Sequence, residues 1–461
     1  MTLYAATLSD YDEVLKTFYL PAVQEQLNHD TILADIIDTN ETDVSGKNAT
    51  IEMHYGRTRG IGARGDGEAL PDADNQKFKT CTVPMKYQYG RIGVTGPNIA
   101  ATRDDRGAYA RALDTEITGV VTDMKKEGNR QMWGCGYGTL ARWRSTESAT
   151  SYTLQKKYTG NSAGGDGFGS TFGAKYMKEG RLNGTPIVLS AMSGSSGTYT
   201  VSGGTVDDIY SASGTISEGT TYDTIASVLE ATSITETAGT FWVRPGTLGA
   251  HAENGGGRKE MMGIRGIVTD TALDVIACNS GSYTGGDLYS DNLQGMAIGT
   301  YDWFKAIVDS HSGGRYTAQR ALTFTLMQKM FDKVEEAAGK DYGPNLILTT
   351  RAIRREYLEL CQADRRYVNT MELDGGWTAI DYNGVPLTVD NDAIDGEVYF
   401  LTTKEMNIYR MSDYNWMQKD GAVLSRISGY DAYEAVLYRY AELGVTRRNT
   451  QGVLTDIDYE D

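Results

Sequence analysis

Histidine, cysteine and proline are all scarce: four, four and eight among 461 residues. The cysteines, Cys81, Cys135, Cys278 and Cys361, lie far apart, and no pair has CxxC spacing. That pattern argues against a zinc site, a redox dithiol or a disulfide framework. His29, His54, His251 and His311 are equally scattered, which argues against a histidine-built metal site or catalytic triad. No apolar run reaches the ~18 residues that a membrane-spanning helix needs. The opening MTLYAATLSDYDEV has neither the basic nor the apolar region of a secretory signal, so a cytosolic product is expected.

Acidic and aromatic residues and glycine are plentiful instead. The net charge is -17. A protein that grips DNA by its phosphates presents a basic surface, and this chain as a whole repels DNA. Fifty-four glycines and thirty tyrosines suggest strands, tight turns and aromatic contact surfaces. At 40% hydrophobic residues the chain can build a core, and its length predicts two or three lobes.

The stretch RTRGIGARGDGEALP, Arg57 to Pro71, combines several signals. Gly60, Gly62 and Gly65 have the spacing of a dinucleotide fingerprint, and Arg64-Gly65-Asp66 is an adhesion tripeptide. A fingerprint needs a helix after it, because the pyrophosphate sits on the helix N-terminus. EALPDADNQ follows instead, with Pro71 and a run of polar residues. Ala49 to Tyr55 alternates, with Ile51, Met53 and Tyr55 on one side, and Lys77 to Val94 reads as strand. The glycines therefore sit at the tip of a long hairpin carrying Arg57, Arg59, Arg64, Asp66 and Glu68. An isolated two-stranded ribbon is barely stable in water, so this one needs a surface to lie on.

Asp10 to Asp38 predicts two short helices divided at Pro21. From Asp104 to Trp133, Tyr109, Leu113, Ile117, Val120, Val121 and Met124 form one apolar stripe, predicting a helix roughly 45 Å long. Thr102 and Asp105 resemble a capping box, Gly119 and Gly128 weaken the helix locally, and Gly134, Gly136 and Gly138 end it. Ser145 to Gly257 is rich in Ser, Thr and Gly, with short β-prone runs such as TPIVLS, GTYTVSG, TYDTIASVL and GTFWVRP. It predicts an inserted all-β module. Its GGDGFGSTFG lacks the lysine of a phosphate loop, and Asp166, Asp207 and Asp208 lack a regular calcium-loop pattern. Further on, MMGIRGIVTD reads as strand, Tyr301 to Asp309 and Thr317 to Ala338 as helix, NLILTT as buried strand and Arg351 to Leu360 as helix. GVPLTVDND and GEVYFLTT read as strands, and Tyr430, Tyr433, Tyr438 and Tyr440 make the C-terminal stretch sticky on one face.

This ordered series resembles the major capsid proteins of tailed bacteriophages, the HK97-fold family. The residues that carry the resemblance are the glycine-rich hairpin, the long helix running into NRQMWGCGYGTL, then EMMGIRGIV and NLILTTRAIRREYLEL. The most specific are GWTAIDYNGVPLTVDNDAIDGEVYFLTT and the closing DGAVLSRISGYDAYEAVLYRYAELGVTRRNTQGVLTDI. It covers about three quarters of the chain and leaves out Ser145 to Gly257.

The resemblance implies an α+β HK97-like fold. Residues 1–46 would be the N-terminal arm, 47–96 the extended E-loop hairpin and 97–144 the spine helix of the P-domain. Residues 145–257 would be the inserted module, 258–315 the return to the P-domain, 316–420 a long helix and the A-domain, and 421–461 the C-terminal P-domain strand and tail. It implies hexamers and pentamers of this chain closing into an icosahedral shell around double-stranded DNA, without sequence-specific binding. Partners would be a scaffolding protein (separate, or an extension trimmed away), a portal and a decoration protein, with no membrane. The virion would be its location, after assembly in the cytoplasm of a bacterial host. Arg57, Arg59, Arg64, Asp66 and Glu68 would meet the next subunit. Lys77, Lys79 and Lys86 lie on the hairpin, where some relatives cross-link, but the sequence assigns no cross-link and no catalytic, cofactor-binding or metal-binding residue. A secreted surface-layer or carbohydrate-binding protein, and a phage decoration or tail protein, are the alternatives; no nucleophile motif or metal spacing supports an enzyme.

Overall fold

The computed structural model describes residues 33, 36–95, 106–136, 138–148, 151–154, 185–187, 221–222, 241–243, 259–270, 293–296, 300–312, 318–363, 370–372, 378–390, 392–418, 423 and 425–459. The expected helices of the N-terminal arm, apart from Leu33 and residues 36–38 at their end, the Thr102–Asp105 cap and Asp166, Asp207 and Asp208 lie outside them; Asp38 already begins a strand.

Two mixed sheets and one long helix organise the chain. The first sheet is built around the Ala432–Val445 strand. It pairs antiparallel with Met406–Trp416 and, further along the same edge, with Ser425–Arg426, while Lys86–Thr95 pairs along the other edge. Asp38–Asn40 adds on parallel, outside Met406–Trp416. The helix, Arg106–Trp133, lies on this sheet. Its Ile117 and Val121 pack on Ile92, Val94, Ala435, Leu437 and Trp416, the stripe expected from the apolar spacing. Gly90 admits the helix: a Cβ there would come within 2.5 Å of the Met124 sulfur. Gly128, which reads in sequence as a weak point, faces the Tyr414 hydroxyl, which would be 2.8 Å from a Cβ.

The second sheet has seven strands, in the order Ile307–Asp309, Gly452–Leu454, Val398–Leu401, Leu346–Thr349, Val385–Val389, Thr378–Tyr382, Thr370–Glu372. Its central strands Leu346–Thr349 and Val398–Leu401 are buried on both faces, which explains their unbroken apolar runs. Helices Phe324–Ala338 and Arg351–Ala363 contribute Met327, Met330, Val334, Ile353 and Tyr357 to one core with Ile347, Leu387, Phe400 and Leu454. Thr323 caps the first of these helices by accepting from Leu326 N–H. Asn383 and Gly384, both at positive φ, make the two-residue turn between Thr378–Tyr382 and Val385–Val389. Trp133, at the end of the long helix, packs edge-on against Tyr399 with ring centroids 5.5 Å apart. One helix thus touches both sheets.

The closing RNTQGVL segment has a physical reading. Arg448 is fully buried and donates to the carbonyls of Ile267 at 2.6 Å and Gly266 at 3.1 Å. Burial pulls its guanidinium down to about 9, with Asp270 acting the other way. Asn449 donates to the Ala337 carbonyl. Gly452 leaves room for Met330, whose methyl would lie 2.3 Å from a Cβ there.

Three expectations are corrected. MMGIRGIVTD is not a strand: Ile264–Ile267 forms one helical turn, wedged against the end of the long helix. Tyr301–Asp309 is not a helix: a short turn at Asp302–Phe304 leads into the Ile307–Asp309 strand, which pairs with Gly452–Leu454. That partner lies far along the chain, and β-branched Ile307 and Val308 suit an edge strand. Lys77–Val94 is not one strand but two, which part at Met85 and enter different sheets.

Part of the second sheet's edge is tied by charge. Asp309 is buried and receives Arg320 at 2.9 Å, Lys333 at 2.6 Å and Lys329 at 3.1 Å. Burial pushes its carboxyl up, but hydrogen bonds from the three cations outweigh that and hold it at about 2. The folded value lies below the unfolded one, so the stabilisation is present above about pH 4 and is lost as pH falls toward 2. Asp309→Asn should lower stability at pH 7 by about 1–2 kcal/mol, allowing for solvent screening of the exposed lysines. Urea unfolding at pH 7, 4 and 2.5 checks this: the gap between wild type and variant should shrink at the lowest pH.

Candidate functional site

The hairpin strands Asn48–Gly56 and Lys77–Pro84 pair antiparallel, from Asn48 opposite Pro84 to Gly56 opposite Lys77. At their root Ala49, Val83 and Met85 pack with Tyr409 of the first sheet. Gly444 provides clearance there, since a Cβ would lie 2.7 Å from the Tyr409 ring. Ala49 and Met53 point inward and are buried, as the alternation predicts, with Ile51 half-buried between them. Tyr55 departs from that face: it is exposed and stacks on Trp303 at 4.9 Å. The Lys79 ammonium lies 5.2 Å from the Tyr301 ring centre. These two contacts brace the outer hairpin from one side, beyond the buried root.

The tip, residues 57–76, has no regular structure, and residues 61–70 are all exposed. It is nonetheless shaped by its own side chains. Glu68 accepts from Gly65 N–H at 2.8 Å while its own N–H donates to the Gly65 carbonyl at 3.2 Å. Gly67, at φ +77°, makes that reversal possible. Arg64 Nε donates to the Ala69 carbonyl at 2.9 Å. Thr58 donates to the Asp74 carbonyl, and Asp74 accepts from Arg59 N–H. The hydrogen bonds from the Asn75 and Arg59 amides hold the Asp74 carboxyl below its ordinary range.

The five charged tip residues singled out in the sequence thus divide by role. Arg64 and Glu68 are engaged in shaping the loop. Arg57, Arg59 and Asp66 present exposed side chains. Sequence reasoning passed over Ile61 and Leu70, which are 83% and 84% exposed. Their signal was visible: two large apolar residues in an otherwise polar, glycine-rich loop. Phe78, 66% exposed, adds a third further down the hairpin.

A second exposed surface adjoins the hairpin root. Tyr87 pairs with Tyr440 and Tyr89 with Tyr438 across adjacent strands of the first sheet, on the face away from the long helix. The Tyr87 and Tyr440 rings lie 5.1 Å apart, edge to face, and Tyr438 and Tyr440 lie 4.9 Å apart. Arg91 and Glu434 form an ion pair at 2.6 Å on this sheet.

Among the described residues no group of three or more His, Cys, Asp or Glu is placed to hold a metal, and no helix is long and apolar enough to cross a membrane. Burial pushes the Cys81 thiol up to about 12, leaving it inert.

No protein-family model and no curated protein matches the chain. Solved structures do. The cyanophage A-1(L) capsid asymmetric unit is 12% identical over 93% of both chains, with a TM-score of 0.49. The capsid of a native GTA particle is 9% identical over 92% of this chain and 90% of that one, at 0.43. The capsid of Myoviridae phage XM1 is 7% identical over 92% and 91%, at 0.41.

Removing the Glu68 acceptor should loosen the tip alone. Glu68→Ala should speed trypsin cleavage after Arg57, Arg59 or Arg64 about fivefold, the worth of one hydrogen bond of about 1 kcal/mol. The urea midpoint of the whole subunit should not move. Timed digestion read by mass spectrometry checks both halves.

Proposed function

We propose that this chain is a tailed-bacteriophage major capsid protein that assembles as hexamers and pentamers into an icosahedral shell around double-stranded DNA. The observation that carries the proposal is the hairpin. It extends beyond its buried root to a tip that nothing among the described residues covers, and that tip holds Ile61 and Leu70 almost fully in water. Large side chains so placed suit burial against a neighbour. Arg57, Arg59 and Asp66 would supply the polar rim of that contact, with Arg64 and Glu68 setting its shape. The tyrosine face beside the hairpin root is a second surface suited to a neighbouring copy.

The acidity agrees with a container. A net charge of -17 discourages tight binding of the enclosed DNA, which must enter and leave. A scaffolding protein, a portal and a decoration protein would be partners, with assembly in the host cytoplasm and the virion as destination.

Negative-stain electron microscopy tests assembly directly. Expressed alone or with the genes beside its own, the chain should give closed shells or rings of five and six; a persistent monomer under both conditions would overturn the proposal. The tip has its own test. Replacing Gly60–Gly67 with a short linker should leave the subunit's unfolding midpoint unchanged and abolish closed shells. Normal shells from that variant would refute the contact assigned to the tip.

The β-rich segment would be a surface-exposed module that stabilises each ring. Its described strands, Thr139–Ser148, Ser151–Leu154, Thr185–Ile187, Thr221–Tyr222 and Phe241–Val243, form an antiparallel sheet that pairs with no other described strand. Shells lacking residues 145–257 should melt at lower temperature in scanning calorimetry. An unchanged melting temperature would count against the stabilising role.

A further inference from the structure

The helix Arg351–Ala363 starts where two parallel strands end. Leu346–Thr349 runs into it through Thr350, and Val385–Val389 lies alongside, with Thr349 opposite Val389. Arg354 N–H donates to the Thr350 carbonyl at 3.1 Å, the first hydrogen bond of the helix, which makes Thr350 its N-cap. The amides of Arg351, Ala352 and Ile353 have no partner within the helix, and the peptide dipoles sum to partial positive charge at this end.

The side chains enlarge that charge instead of offsetting it. No acidic residue stands in the first turn, and Arg351, Arg354 and Arg355 lie among the first five positions. Cations favour the opposite end of a helix. An N-cap threonine hydroxyl ordinarily accepts from one of the first amides. Thr350 is only 7% exposed, yet its hydroxyl has no hydrogen-bond partner. Arg354 Nε is also buried without an acceptor. Residues four apart share a helix face, so both groups belong to the same side of the first turn. Two buried donors without acceptors, at a positive helix end, are resolved together by one oxyanion.

We propose that the start of this helix is a binding site for a free phosphate-class oxyanion, held by the Thr350 hydroxyl, Arg354 Nε and the first amides. Arg351, exposed beside them, adds attraction from the solvent side. The Thr350 and Arg354 groups are closed off from bulk water, so the ligand is small enough to be enclosed, a free ion and not a stretch of DNA backbone. The nearby acid does not forbid it. Asp390 follows Val389 on the same edge, its N–H donating to the Thr349 carbonyl at 3.3 Å. One of its carboxylate oxygens is turned to the long helix, accepting from Asn129 at 3.3 Å and from Asp392 N–H at 2.8 Å. Burial pushes that carboxyl up, so its charge opposes an anion less than an ordinary carboxylate would.

Equilibrium dialysis of the full chain, as unassembled subunits, against radiolabelled inorganic phosphate tests the site and does not depend on shell formation. Saturable binding of a single phosphate per chain is expected, with sulfate as a competitor. Arg354→Gln should weaken it about tenfold and Thr350→Val about fivefold, from the loss of one charged and one neutral hydrogen bond. Arg59→Gln, which removes the same charge at the hairpin tip, should change nothing. Phosphate should also raise the thermal midpoint of wild type and leave that of Arg354→Gln in place. Should either variant at the site not fold, Arg351→Gln at its exposed position replaces it, with binding about threefold weaker. Absence of saturable binding, or equal affinity in wild type and the site variants, overturns the proposal. So does a short DNA duplex whose binding is lost with Arg354→Gln but not displaced by free phosphate, since the helix end would then be a contact for DNA.

Discussion

Arg130 carries a full charge into a place that water does not reach. Its guanidinium is 1% exposed, held by Glu127 at 2.6 Å and Glu260 at 2.5 Å. Burial works against that charge, but the two carboxylates together keep it protonated well above the ordinary range. Breaking such a pair by removing one partner costs about 3–5 kcal/mol, because the charge left behind is uncompensated. Neighbouring polar side chains on the same helix reach out to both sheets. Gln131 accepts from Gln88 of the first sheet and from Met261 N–H of the returning chain. Asn129, one residue before Arg130, donates to Asp390 beside the second sheet. A single helical turn therefore bonds the first sheet, the returning chain and the second sheet, with directional contacts that an apolar junction would lack. If that turn shifts by one residue, every one of these partners is lost, so the relative placement of the two sheets is tightly specified.

That rigidity is what lets the hairpin be an arm. The chain leaves the hairpin at Pro84, turns at buried Met85 and enters the first sheet at Lys86, with Met85 N–H donating to the Lys47 carbonyl. The root is thus fixed on both strands to a sheet that is itself fixed to the helix. Gln294 adds a further tie: its carbonyl accepts from Thr82 N–H and its side chain from Val445 N–H. Motion in the hairpin is therefore pushed outward, beyond the stacked Tyr55 and Trp303, into the glycine-rich tip.

Much of this architecture was legible in the sequence, because local period and local chemistry decided it. The Ile117–Val121 stripe, the unbroken NLILT and VYFL strands, and the alternation of Ala49, Ile51 and Met53 all report burial by one neighbouring surface. What was not legible depended on remote partners. Ile307–Asp309 is a strand only because Gly452–Leu454 lies beside it. IRGI becomes a helical turn because Gly263 and Gly266 allow close approach to Gly134 and Cys135, and nothing in the sequence names that partner. At the tip the charges were found but their division of labour was not. A hydrogen bond from Arg64 to the Ala69 carbonyl follows from loop geometry, which composition does not encode.

The tip's own hydrogen bonds bear on how a weak contact can be specific. A wholly flexible loop loses backbone and side-chain entropy when it docks, and that cost comes out of the contact energy. Here Glu68, Arg64 and Asp74 have already ordered the turn in the free subunit. Less freedom remains to be lost, so two apolar side chains and a few exposed charges can suffice. In the assembly proposed above, each contact would be weak enough to break and re-form while a ring is corrected. Closure would then multiply the same small term around every ring, where a misplaced subunit must give up several contacts at once. On that proposal an ordered tip on a rigid root would favour accurate closure more than tight pairing of any two copies.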